Sequence, residues 1–104
     1  MIVTTTDSVE GRRISEYIGI VSGEAINGIN FLKDFGAGIR NIVGGRSKGY
    51  EKEIIKAGED SIKEIIDRAE KMGADAIVGS KVDYEVLADS MLMVTISGTA
   101  VKLD

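Results

Sequence analysis

Apolar residues recur at three- and four-residue spacing between positions 48 and 72. Ile54, Ile55, Gly58, Ile62, Ile65, Ile66, Ala69 and Met72 form one stripe, which predicts a long amphipathic helix. Its other side is densely charged, with Glu59 before Lys63 and Glu64 before Arg68 in the favoured order for pairs one turn apart. Ser47 is placed to cap the start, Glu51 and Glu53 lie near the positive end of the helix dipole, and Gly73 ends the helix. From 74 to 87 the period changes to two: Ala76, Val78, Val82, Tyr84 and Val86 point one way, Asp75, Lys81, Asp83 and Glu85 the other. That alternation predicts a half-solvated strand. After a turn at Ala88, Asp89 and Ser90, residues 91–102 return as an antiparallel strand that is apolar on both sides at first.

The N-terminal half reads less regularly. Residues 2–6 are short and β-branched, consistent with a first strand, and 7–13 form a polar turn around Gly11. Residues 14–26 predict a second strand with Ile18, Ile20 and Ile26 on one side and Tyr17, Val21 and Ala25 on the other. Gly19 and Gly23 interrupt it, and glycine inside a strand marks a bulge or a close backbone approach. Beyond a turn at Asn27 and Gly28, Leu32, Phe35, Ile39, Ile42 and Val43 recur at helical spacing until Gly44 and Gly45. This is a short helix weakened by Gly36 and Gly38.

The order ββααββ makes an α+β domain of two layers: a mostly antiparallel four-stranded sheet with the long helix against one face. A chain of 104 residues, 43% of them hydrophobic, fits one domain, residues 1–104, with one core. Two helices do not cover both faces of a sheet whose second and fourth strands are apolar on both sides. An uncovered apolar face on such a domain is normally an interface, which predicts a homo-oligomer.

Composition removes several chemistries. The chain has no Cys and no His, so disulfides, thiolate nucleophiles, imidazole acid–base catalysis and imidazole or thiolate metal ligands are all excluded. No apolar run approaches the roughly 20 residues that span a bilayer, and the N-terminus lacks the layout of a secretory signal, so a cytoplasmic protein with no membrane association is expected. The net charge is −4. Residues 1–52 carry seven Lys or Arg against six Asp or Glu, and 53–104 carry six against eleven. With few aromatic residues as well, a nucleic-acid partner is not expected.

Five stretches together resemble the YbjQ-like family, a bacterial and archaeal group with a heavy-metal-binding label. They are Thr4 to Thr6, Ile20-Val21-Ser22-Gly23, Gly44-Gly45-Arg46-Ser47 with Tyr50-Glu51, Gly73-Ala74-Asp75-Ala76-Ile77-Val78-Gly79, and Gly98-Thr99-Ala100-Val101. The resemblance spans essentially the whole chain. It implies a small α+β subunit in a homo-pentameric ring, sometimes with two rings stacked as a decamer. The metal label transfers poorly, because a thiophilic metal wants Cys or His ligands and this chain has neither. Only oxygen donors remain: Glu24, Asp34, Glu51, Asp75, Asp83 and Glu85, which otherwise serve as ordinary solvated carboxylates.

Two candidate sites centre on the stretch from Gly44 to Glu51. Gly45, Arg46 and Ser47 precede a helix N-terminus, where free N–H groups and the helix dipole favour a small anion, and Arg40 and Lys48 add charge. Equally, the glycines make a turn and Arg46 pairs with Glu51 or with a carboxylate of a neighbouring subunit. The full phosphate-loop pattern is absent. Tyr50 and Glu51 form a polar pair suited to structural hydrogen bonding, and their use as catalytic acid and base would require perturbed surroundings. Gly36, Gly38 and Asn41 make half a dinucleotide fingerprint, but inside a helical pattern, so no cofactor is expected. Tyr17, Phe31, Phe35 and Tyr84 suit a core or an interface.

Overall fold

The computed structural model describes residues 1–28, 48–88 and 91–104. The predicted short helix, its glycine stop and the Asp89-Ser90 turn lie outside the described residues. Within them, β1 (Ile2–Val3), β2 (Ile14–Gly28), α1 (Lys48–Lys71), β3 (Ala76–Ala88) and β4 (Met91–Leu103) follow in order. The four strands make one mixed sheet in the order β1-β3-β4-β2. β4 is antiparallel to both long neighbours, and β1 is parallel to β3 through Ile2 and Val3 only. The first strand is thus shorter than predicted. After Val3 the chain peels away, with the Thr4 N–H donating to the Ile77 carbonyl at 2.9 Å.

The helix crosses one face of the sheet, over β2 and β4. Its buried line is Ala57, Ser61, Ile65 and Ala69, which differs from the predicted stripe. Ile55, Ile62 and Met72 are instead 62%, 39% and 37% exposed. The reason lies in the sheet. A Cβ placed on Gly23 would sit 2.5 Å from the Ser61 carbonyl oxygen and 2.6 Å from the Ile65 nitrogen, so helix backbone rests directly on strand backbone. Contact at that depth favours small side chains beneath the helix, and Ile65 is the one large residue of the buried line, its Cβ 3.0 Å from the same point. Ser61 fits by turning its hydroxyl back to donate to the Gly58 carbonyl at 2.8 Å. Ile55 and Ile62 are displaced to the flank nearer β3.

Of the four register slips along β2 and β3, those at Gly19 and Gly79 regroup the apolar residues. At Gly19 the register of β2 against β4 slips, so Tyr17 shares a face with Ile20 and Ile26, and Ile18 joins Val21 in the core. The predicted grouping of Ile18 with Ile20 and of Tyr17 with Val21 is therefore corrected. At Gly79, with φ of 59°, β3 slips against β4 in the same way. Ala76 and Val78 face outward, where they pack with Val101, Leu103, Val9 and Ile14. Val82, Tyr84 and Val86 lie opposite Ile96, Val94 and Leu92 on the helix side. The five residues predicted to point one way are thus divided between the two faces, because a single extra residue inverts every later side chain. Lys81, Asp83 and Glu85 are exposed on the outer face, as expected.

Gly73 closes α1 with φ of 82°. Its N–H donates to the Glu70 carbonyl at 3.0 Å, and the Ala74 N–H donates to that of Ala69 at 3.0 Å, the double bond of a Schellman cap. The described chain measures 53 × 23 × 15 Å, with a radius of gyration of 17.0 Å. A compact domain of 100 residues would have about 13 Å. The long axis is set by β2, whose 15 residues reach on the order of 50 Å at about 3.3 Å each.

Two substitutions test this geometry. Gly23→Ala should lower the urea unfolding midpoint by the equivalent of about 1–3 kcal/mol, because backbone on both sides must separate. Gly79→Ala should cost about 1–2 kcal/mol through its left-handed backbone alone, since nothing lies within 4 Å of the added methyl group.

Candidate functional site

The features that could engage another molecule are best built from the two sides of the sheet. On the helix side, α1 lies over β2 and β4, leaving β3 beyond Gly79 beside an open trough. Ile55 and Ile62, seven residues apart, share one flank of the helix. Facing them are Val82, Tyr84 and Val86, exposed by 38%, 57% and 53%. The trough floor is close to Gly58, where a Cβ would stand 3.9 Å from the Tyr84 hydroxyl oxygen. On the outer side, β2 presents Tyr17, Ile20 and Ile26, exposed by 69%, 85% and 50%. The loop before β2 covers the end of this face through Val9, beside Ile14 of β2 itself.

Between these surfaces, at the margin of β2, sits a charged clamp. Arg68 donates through Nη1 to the Ser22 carbonyl at 2.7 Å and to Glu24 Oε2 at 3.2 Å, and through Nη2 to Glu24 Oε1 at 3.1 Å and to Glu64. The predicted Glu64–Arg68 pair is present, but its larger partner comes from the sheet. Hydrogen bonding to Glu24 is the main influence raising the Arg68 pKa above its ordinary value, with desolvation opposing it. The guanidinium therefore stays charged at any pH a folded protein meets. Its grip on the Ser22 carbonyl covers part of an edge that has no further strand among the described residues, a usual protection against strand addition.

Of the residues predicted to form an anion site, Arg40, Gly45, Arg46 and Ser47 lie outside the described residues. Tyr50 is described only as a backbone position in the first turn of α1. Glu51 stands in that same turn, half-buried. The oxygen donors do not converge. Glu24 is held by Arg68. Asp75 Oδ2 accepts from the Leu103 N–H at 2.9 Å, and Asp83 lies 3.4 Å from Lys81 Nζ. Asp34 is outside the described residues, and no three acidic side chains gather within them. With no Cys or His in the sequence, the described residues offer no thiolate or imidazole site for a thiophilic heavy metal. No helix among the described residues is long and apolar enough to cross a membrane.

The distinctive motifs carry structural tasks. In 20–23, Val21 enters the core, Ser22 offers its carbonyl to Arg68, and Gly23 admits the helix. In 73–79, Gly73 caps the helix, Asp75 holds the last strand, and Gly79 makes the bulge. The threonine-rich start fits that bulge: the Gly79 N–H donates to the Thr6 carbonyl at 2.8 Å and the Ser80 N–H to that of Thr4 at 3.0 Å. In 98–101, a Cβ on Gly98 would come within 2.7 Å of Ile77 Cγ2. The exposed trough was missed in the sequence because Tyr84 and its neighbours fall on the predicted buried side. Gly79 in mid-strand is the signal that would have located it.

Known proteins with these features are close in sequence. A family model described as "Putative heavy-metal-binding", the YbjQ model, matches residues 1–104. A UPF0145 protein of Acetivibrio thermocellus is 57% identical over 106 residues and covers both chains completely. One from Listeria ivanovii is also 57% identical, covering all of this chain and 96% of its own. In structure, a Pediococcus pentosaceus protein described as of unknown function and belonging to the DUF74 family superposes with a TM-score of 0.69. It is 18% identical and covers 100% of this chain and 98% of that one, a likeness of fold. On a match that runs the length of the sequence, the chain belongs to the YbjQ family, the UPF0145 proteins.

Proposed function

We propose that this protein acts as a homo-oligomeric, ring-forming domain with a binding or scaffolding role and no catalytic activity. The observation that carries this reading is apolar exposure on both sides of an elongated subunit, led by Ile20 at 85% and Tyr17 at 69%. A free monomer rarely keeps such surface in water, whereas an oligomer interface removes it. The family resemblance implies five subunits, with a stacked decamer as a variant. The structural tasks of the described motif residues support a non-enzymatic role. A small-anion site around Arg46 is the second reading, favoured by the cationic stretch before α1. Carboxylate-based metal binding is weaker, because Glu24, Asp75 and Asp83 already have protein partners.

Native mass spectrometry and light scattering at micromolar concentration should give a multiple of the one-chain mass; a monomer would remove the ring reading. Calorimetric titration with zinc or copper should give no saturable heat at stoichiometric metal. A one-to-one isotherm in the micromolar range would instead restore the metal reading.

A further inference from the structure

We draw no further inference here: the strongest candidate, the apolar trough between α1 and β3 bordered by Ile55, Tyr84 and Val86, carries nothing because nothing in the structure shows what covers it.

Discussion

The contact between the backbone of α1 and the backbone of β2 at Gly23 sets the rest of the structure. Helices usually ride on a layer of side chains, but here the strand offers none at the crossing, so the helix settles deeper. That depth shapes which helical residues are buried: Ala57, Ser61 and Ala69 lie beneath it together with Ile65, and Ile55 and Ile62 are turned toward the flank. The apolar surplus of this small subunit is thus a geometric result of close packing. An isoleucine-rich helix with an alanine- and serine-lined underside has its larger hydrophobic groups where another molecule can reach them.

The clamp at Arg68 completes the arrangement from the opposite flank. It connects α1 to β2 through the Ser22 carbonyl and the Glu24 carboxylate, with Glu64 of α1 itself as a third partner, so the helix is fastened on one margin and open on the other. Exposed ion pairs contribute little to stability. Their placement matters more than their strength here, since the same guanidinium that pairs with Glu24 also occupies a backbone acceptor that an incoming strand would need.

Much of this fold can be read from the residues in order. The long helix, its glycine stop, both long C-terminal strands and the disturbance at Gly19 and Gly23 follow from periodicity and glycine placement. What periodicity misjudged was phase. Counting by twos through Gly79 assigns Val78 and Val82 to one face, although three residues separate them on β3 where two separate their partners Thr99 and Ile96 on β4. The helix stripe erred for a different reason: hydrophobicity ranks Ile62 above Ser61, while the room left over Gly23 ranks them the other way. The candidate site was the least legible part. Arg40, Gly45, Arg46 and Ser47 were singled out by local charge and turn chemistry, whereas the exposed trough depends on side chains from two elements meeting only in the folded chain.

The bulge at Gly79 also divides β3 into two halves that answer to different neighbours. Val78 and Val82 are both valines on one strand, an even number of residues apart. The first packs with Val9 of the N-terminal loop and Ile14 of β2, and the second borders the open flank of the helix. Each half of the strand can therefore be altered with little hearing in the other: one governs how the ends of the chain are gathered, the other what the subunit shows to its surroundings. A single glycine makes one strand serve as two, and so separates the half that gathers the chain ends from the half that shows apolar surface.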